Sequence, residues 1–260
     1  MELKTLLFEK REHFCWIKLN RPEAMNALNT QMAQDLMAAL QEAAFDRDTW
    51  VVGLTTTTDK AFGVGADLKE RKNMSVEEIQ SQRSLFVRIP AAFRALPQPF
   101  IAGVKGFALG GGFEMALLAD IIIAGDNAQF GLPEVRVGLI PGNGGTQTLS
   151  RAVGKMRAKE MIFTGKRISA SEALTMGIVH RVVPVDKVEE AVSDLAREIC
   201  ANAPIAVRQA KRAIELGMEV DLSTGLQVEI EAYNVNVGTE DRQEGIRAFN
   251  EKRPPKWNNR

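Results

Sequence analysis

The chain has 260 residues, 45% of them apolar and 25% charged, which is the make-up of an ordinary soluble globular protein with material for a large core. Lys plus Arg and Asp plus Glu number 33 each, so no overall field favours nucleic acid or an anionic membrane. The two cysteines, Cys15 and Cys200, make neither a disulfide framework nor a metal spacing, which implies a reducing compartment, the cytoplasm.

The start, Met1-Glu2-Leu3-Lys4, interleaves acid and base and lacks a signal-peptide core. His13 to Leu19 alternates like a strand, with Phe14 and Trp16 on one face and Cys15, Ile17 and Leu19 on the other. Asn20-Arg21-Pro22 ends it. Thr30 to Ala44 predicts a helix, with Met32, Leu36, Met37 and Leu40 at helical spacing. Val51 to Thr55 carries the β-branched residues of a strand. Ala61 to Ala66, with Gly63 and Gly65, reads as a loop. Ser75-Val76-Glu77-Glu78 fits a capping box and predicts a helix start. Pro97 and Pro99 break the chain before a strand at Phe100 to Val104. A helix is expected to begin within Gly110-Gly111-Gly112 and to run through Met115 to Ala119, followed by a buried strand at Ile121 to Ala124. Phe107 to Gly125 is the most apolar stretch, but Glu114, Asp120 and several glycines interrupt it, so a buried helix and strand explain it better than a membrane span. Ser169-Ala170-Ser171-Glu172 is a second capping box, and from there to Asn250 the text is mostly helical, punctuated by Pro184, Pro204 and Gly217. Strands alternating with helices, then helices alone, predict an α/β core over residues 1–195 and a helical C-terminal region over 196–260. The tail Lys252 to Lys256 is expected to be extended.

Two carboxylates beside glycine runs carry the chemical signal. Consecutive glycines let main-chain N–H groups approach a substrate oxygen, and a helix start leaves such groups unpaired. A tight turn that allows close packing is the equally simple reading of Gly110-Gly111-Gly112. Glu114 could be a first-turn glutamate favoured by the helix dipole. Its neighbours Phe113, Met115, Ala116, Leu117 and Leu118 instead predict a buried carboxylate, which is costly and retained for a reason. Glu134, in Phe130-Gly131-Leu132-Pro133-Glu134, would by itself read as a surface or ion-pair residue. Two carboxyls with unlike environments can share acid and base work. Competing schemes find little support. The only histidines are His13 and His180, there is no Gly-x-Ser-x-Gly elbow, and Gly154-Lys155-Met156 lacks the hydroxyl residue of a phosphate loop. No dinucleotide fingerprint follows a strand and no cluster has metal-ligand spacing, so no metal is expected.

Read together and in order, Asn20-Arg21-Pro22, Asn26-Ala27-Leu28, Ala61-Phe62, Gly65-Ala66-Asp67-Leu68-Lys69, Ala108-Leu109-Gly110-Gly111-Gly112, Pro133-Glu134, Ile140-Pro141-Gly142 and Ala248-Phe249-Asn250-Glu251-Lys252-Arg253 resemble the enoyl-CoA hydratase/isomerase (crotonase) superfamily. The resemblance spans essentially the whole chain. It implies a crotonase-like α/β spiral of ββα units in two sheets, with a C-terminal helical trimerisation region, and a homotrimer or a homohexamer built as a dimer of trimers. It implies that the N–H groups of Ala66 and Gly111 form an oxyanion hole for a thioester oxygen. Gly65, Asp67 and Leu68 would lie beside coenzyme A, and Phe249 and Lys252 would reach the coenzyme A of a neighbouring subunit. Coenzyme A belongs to the substrate, so no separate cofactor is expected. Both hydratase positions are filled, by Glu114 and Glu134, which implies hydration of trans-2-enoyl-CoA to 3-hydroxyacyl-CoA in fatty-acid β-oxidation or branched-chain amino-acid breakdown. An isomerase or thioester hydrolase is the alternative chemistry. Relatives usually carry alanine where this chain has Val64, a change expected to bear on the loop shape. Thr55 to Thr58 stands where relatives often have Gly or Ser and should alter the loop before Lys60 more than the chemistry.

Gly65 to Arg71, Gly217 to Leu222 and Glu251-Lys252-Arg253-Pro254-Pro255 look closest to the methylglutaconyl-CoA hydratase branch of leucine breakdown. One homologue in that branch binds RNA, which is associated with a lysine-rich early helix. Thr30 to Ala44 here has no Lys or Arg, so no nucleic-acid partner is expected, and no membrane partner either. A methylglutaconyl substrate ends in a carboxylate that would want a cation. Lys69, Arg71, Lys72 and Arg88 are the candidates by neighbourhood, although solvated surface charge explains most such residues.

Overall fold

The computed structural model describes residues 3–260, so the reading of Met1 and Glu2 lies outside it. The chain opens with a hairpin in which β1 (Leu6–Arg11) pairs antiparallel with β2 (Phe14–Leu19), Leu6 opposite Leu19 and Arg11 opposite Phe14. The sequence pattern does not announce β1. Its second half is Glu9-Lys10-Arg11, a charged run suited to the sheet edge that it forms. β2 alternates as expected, but both of its faces are buried. Phe14 and Trp16 pack with Val51, Ile101, Ile123 and Val192, while Ile17 and Leu19 enter the main core.

α1 (Thr30–Phe45) is capped by Asn29, whose side chain accepts from the Met32 N–H. Met32, Leu36 and Leu40 are fully inside, and Met37 flanks the core. Burying each such side chain is worth about 1.5–3 kcal/mol, which outweighs the modest helix propensity of the segment. Buried Asp35 on this helix accepts from the Thr5 N–H at 2.8 Å and the Thr5 hydroxyl at 2.7 Å, which ties the helix to the start of β1.

Three successive turns of a spiral then follow. The first is β3 (Val51–Thr56), β4 (Ala61–Gly63) and the helices α2 (Leu68–Arg71), α3 (Val76–Phe86) and α4 (Arg88–Arg94). The second is β5 (Phe100–Val104), β6 (Phe107–Leu109) and α5 (Gly111–Ala116). The third is β7 (Ile121–Gly125), β8 (Gln129–Gly131), α6 (Gly145–Val153) and α7 (Lys155–Thr164). Each turn lays its first strand in one sheet and its second in another. Adding β9 (Arg167–Ser169) and β10 (Arg181–Val183) gives a six-stranded sheet ordered β1-β2-β3-β5-β7-β10 and a four-stranded sheet ordered β4-β6-β8-β9. Pairing is parallel except at β1/β2 and β8/β9. This is the crotonase-like spiral that the motifs imply.

Several local expectations are corrected. Ala61 to Gly63 is a strand, fully buried and paired with β6, and the loop is confined to residues 64–66. α5 stops at Ala116 because the chain turns so that the Asp120 N–H can reach the Phe100 carbonyl and its carboxylate can accept from the Phe100 N–H. The stretch after Ser169 is helical apart from β10, which completes the large sheet beside β7. Both capping boxes are present, at Ser75/Glu78 and Ser169/Glu172. The threonine run is structural. Thr55 donates to the Gly103 carbonyl of β5, and Thr56 accepts from the buried Asn26 amide at 2.7 Å.

α8 (Ala170–Thr175) leads to β10, and α9 (Val188–Cys200) covers the Phe14/Trp16 face of the large sheet. Residue 196 lies inside α9. The helices α10 (Pro204–Gly217), α11 (Leu222–Val237) and α12 (Glu240–Glu251) then project an outer surface bearing exposed Ile214, Leu226, Ile230, Tyr233 and Phe249. The tail beyond Lys252 has no regular secondary structure and is held by the Trp257 indole N–H on the Ala201 carbonyl and by the Lys256 and Asn258 N–H groups on Glu244 and Asp241 of α12. No helix among the described residues is long and apolar enough to cross a membrane, and no cluster of His, Cys, Asp or Glu among them could hold a metal ion.

Candidate active site

The second strands of the spiral end at one cleft. The loop after β4, the start of α5, the turn after β8 and the loop before α6 surround it, and α3 forms its far wall. Its volume is about 760 Å³, lined by apolar Ile79, Phe86, Val137, Leu139 and Ile140 as well as by the polar groups described next.

Gly65, Ala66, Gly110 and Gly111 form one side. Leu28 donates its N–H to the Gly65 carbonyl at 2.8 Å and accepts from the Asp67 N–H at 2.9 Å, so Ala66 is held as in a short parallel bridge. Gly111, the first residue of α5, stands directly across from it, since a Cβ built on Gly65 would lie 3.4 Å from the Gly111 nitrogen. Among the described residues neither the Ala66 nor the Gly111 N–H donates to another protein group. Gly112 shows why glycines are needed. A Cβ there would lie 2.2 Å from the Gly63 carbonyl oxygen, so α5 can rest on β4 only without a side chain.

Both glutamates reach this glycine pair. A Cβ on Gly110 would sit 3.1 Å from Glu134 Oε1, and one on Gly111 would sit 4.0 Å from Glu114 Oε2. Glu114 is 2% exposed. Its Oε1 accepts main-chain N–H groups from Asn143 at 2.7 Å and Gly145 at 2.8 Å. Burial raises its carboxyl above the ordinary value, opposed by those amides and by the Arg83 guanidinium. Glu134 begins a single 3-10 turn (Glu134–Val137) rather than lying in open loop. Its Oε2 is buried with no hydrogen-bond partner. Burial first, and then the nearby Glu114 charge, push its carboxyl up to about 7.

Gly65, Ala66, Leu68, Gly111, Glu114 and Glu134 therefore meet at one cleft, whose lining does not include Asp67. The Asp67 side chain turns inward to cap α2 through the Lys69 and Glu70 N–H groups and to pair with Arg21 at 3.0 Å. Phe249, 84% exposed on α12, and Lys252 do not reach the cleft of their own chain. Val64 lines the cleft without disturbing the Leu28 bridge. Of the four proposed cations only Arg71 lines the cleft, whereas Lys69, Lys72 and Arg88 do not. Arg83 and Arg136 also line it and escaped the sequence reading, as did the amides of Asn143 and Gly145. The run Gly142-Asn143-Gly144-Gly145 was the available signal for those amides.

A chain named putative enoyl-CoA hydratase/isomerase from Bacillus subtilis is 49% identical over 251 residues, 96% of each chain. The short-chain-enoyl-CoA hydratase of Clostridium acetobutylicum is 42% identical over 253 residues, 97% of each. The crystal structure of an enoyl-CoA hydratase from Bacillus anthracis superposes with a TM-score of 0.97 at 44% identity, covering 99% of this chain and 100% of that one. The family model described as enoyl-CoA hydratase/isomerase matches residues 9–260, and the chain belongs to that family.

Proposed function

We propose that the protein is an enoyl-CoA hydratase, adding water across the C2=C3 bond of trans-2-enoyl-CoA thioesters to give 3-hydroxyacyl-CoA. The observation that carries this reading is the pair of unlike carboxyls facing the Gly110-Gly111 turn. Glu114 is anchored by two amides, and Glu134 is poised near neutrality. The thioester oxygen accepts from the Ala66 and Gly111 N–H groups, which draws electron density from C3. Water attacks C3 while ionised Glu114 takes its proton. The C2=C3 electron pair moves toward the thioester oxygen as an enolate, which the two N–H groups stabilise. Protonated Glu134 then delivers its proton to C2, and exchange with solvent resets both carboxyls. Unlike environments are what allow two carboxyls to do opposite jobs.

Coenzyme A enters as part of the substrate, and no separate cofactor is invoked. Gly65 and Leu68 at the cleft, with the Asp67 main chain between them, suit its pantetheine arm. Phe249 and Lys252 suit a neighbour's coenzyme A in a homotrimer or homohexamer. The exposed apolar side chains of α10 to α12 support such an assembly, because contiguous patches of this kind mark interaction surfaces. The free thiols of Cys15 and Cys200 suit a cytoplasmic enzyme, and no nucleic-acid partner is proposed.

One observation favours a narrower substrate in leucine breakdown over a plain fatty acyl chain. Arg71 lies over the Phe86 ring at 5.3 Å and spends its Nε on Gln82. Its two terminal nitrogens bond no described protein group, and it lines the cleft. A half-buried guanidinium with no carboxylate in ion-pair contact suits an acyl group that ends in one, as 3-methylglutaconyl-CoA does.

Loss of enoyl-thioester ultraviolet absorbance tests both levels. Hydration of crotonyl-CoA is expected. A higher kcat/KM for 3-methylglutaconyl-CoA, lost relative to crotonyl-CoA in Arg71→Met, supports the narrower substrate, and equal ratios in both proteins reject it. No hydration of either, with a shifted double bond found by product analysis, would replace hydratase by isomerase.

A further inference from the structure

One peptide unit joins Arg83 to Glu114. The Gly142 carbonyl accepts from Arg83 Nη2, and the N–H on the other side of the same peptide, that of Asn143, donates to Glu114 Oε1 at 2.7 Å. The second tooth of the guanidinium, Nη1, donates to Asn143 Oδ1 at 3.1 Å. The fork thus grips the peptide oxygen and the side chain of the residue whose amide holds the carboxylate. A cation bonded to a carbonyl polarises the amide and strengthens the N–H at its far end as a donor. The seat is shaped for this. A Cβ on Gly142 would stand 2.7–3.0 Å from three guanidinium atoms, so a side chain there would evict Arg83.

Arg83 has no carboxylate in salt-bridge contact among the described residues. Its charge therefore reaches Glu114 through this relay and through space. Arg71 and Arg136 line the same cleft, but neither bonds Glu114, and Arg83 is the cation that bears on its carboxyl. β4 and β6, which pack on α5, carry no charged residue. The single charge of α6, Arg151, bonds Gln147 and pairs with Glu219. Facing Glu114 from the turn after β8 is Glu134, an acid, which no such relay serves.

We propose that Arg83 is a positioning residue for the reaction, holding the Gly142–Asn143 peptide so that Glu114, and not Glu134, is the anion that acts as base. This rests on the hydratase reading above. Because Arg83 sits on α3, the same helix that supplies Ile79 and Phe86 to the cleft, seating of α3 and readiness of the base are one event.

The test uses Arg83→Met and Arg83→Lys in the full chain, with two readouts. One is the pH dependence of crotonyl-CoA hydration. The other is a carboxyl-carbon NMR titration of Glu114 in the unliganded protein, assigned with Glu114→Gln. In Arg83→Met, kcat should fall by about tenfold or more while KM stays within about threefold, because placement rather than affinity is lost. The acid limb and the Glu114 titration should both move up by about one pH unit, since a cation that favoured the carboxylate is gone. Arg83→Lys should recover part of both, since it keeps the charge but not the fork. It also serves should the methionine variant fold poorly by its melting transition. A folded variant that titrates and turns over like the wild type overturns the clamp and leaves the hydratase reading standing. A wild type that hydrates no enoyl-CoA overturns that reading, and the titration still decides the clamp.

Discussion

Glu114 and Glu134 face the same two glycines from opposite hydrogen-bonding states. One Glu114 oxygen accepts two main-chain amides, and one Glu134 oxygen is buried with none. Donors aimed at a carboxylate favour its charged form, and burial without donors favours the neutral form. The two carboxyls therefore stand in unlike environments, both raised above the ordinary value and Glu134 to about 7. The difference comes from the backbone, because the loop before α6 supplies two amides to Glu114 and none to Glu134.

Replacing either carboxyl by the isosteric amide should remove one half of this chemistry and keep the shape. Glu114→Gln and Glu134→Gln are each expected to lower kcat by about 10²–10⁴-fold, the range for a positioned acid or base. Circular dichroism should be unchanged. Steady-state hydration of crotonyl-CoA measures it, and a variant with full activity would remove that residue from the mechanism.

The pH profile of kcat/KM should be bell-shaped. Activity should fall on the basic side as Glu134 loses its proton, with a limb near 7. It should fall on the acid side as Glu114 gains one, with a limb above the usual glutamate value. Stability carries the same sign. The Glu134 pKa is raised in the fold, so its contribution is fully present below the unfolded value of 4.5 and is lost as pH rises through about 7. Glu134→Gln should therefore melt higher than the wild type at pH 8 and gain less at pH 5. An equal difference at both values would contradict the assigned environment.

Much of this was legible in the sequence because it rests on local chemistry. The capping boxes at Ser75 and Ser169 depend on residues three apart, and both form. The apolar text around Glu114 announced its burial. β4, β6, β8, β9 and β10 escaped notice because each is three residues long and owes its state to a partner far along the chain, and β1 because its second half is a charged run. Ala61 to Gly63 has no strand propensity of note and is a strand because β6 lies beside it. The same limit hid Arg83. Nothing near position 83 marks it, and its meaning comes from a carbonyl 59 residues away. Asp67 was legible as part of a motif, but its inward direction was not.

Asp67 and Arg21 should act on substrate affinity through the backbone. The pair is largely buried, and Asp67 also caps α2 directly after Ala66. Burial alone would raise the Asp67 carboxyl, but the Glu70 amide and Arg21 outweigh it and hold the group below its ordinary value. Asp67→Ala removes the cap and takes from the Arg21 guanidinium its buried carboxylate, leaving it the Ala27 carbonyl and exposed Glu23, at a cost of about 1–3 kcal/mol. The urea midpoint should fall and KM for crotonyl-CoA should rise, because the segment from Gly65 to Leu68 loses its anchor. An unchanged KM alongside a lower midpoint would confine the pair to stability.

Gly111 and Gly112 are adjacent, yet alanine should act differently at each. At Gly112 the added carbon meets the Gly63 carbonyl carbon and oxygen at 2.2–2.5 Å, and neither can move without breaking the pairing of β4 with β6. At Gly111 the nearest atoms are the Gly65 Cα at 3.6 Å and the Asn143 amide at 3.7 Å, ordinary contact distances on the cleft side. Gly112→Ala should therefore lower the melting temperature or prevent folding, the usual result of overpacking by a backbone clash. Gly111→Ala should fold with a near-native melting transition and lose kcat, because the new methyl stands at the cleft wall where the thioester would lie. Calorimetry with crotonyl-CoA turnover separates the two. Gly112→Ala melting like the wild type would mean that α5 does not rest on β4 as closely as described.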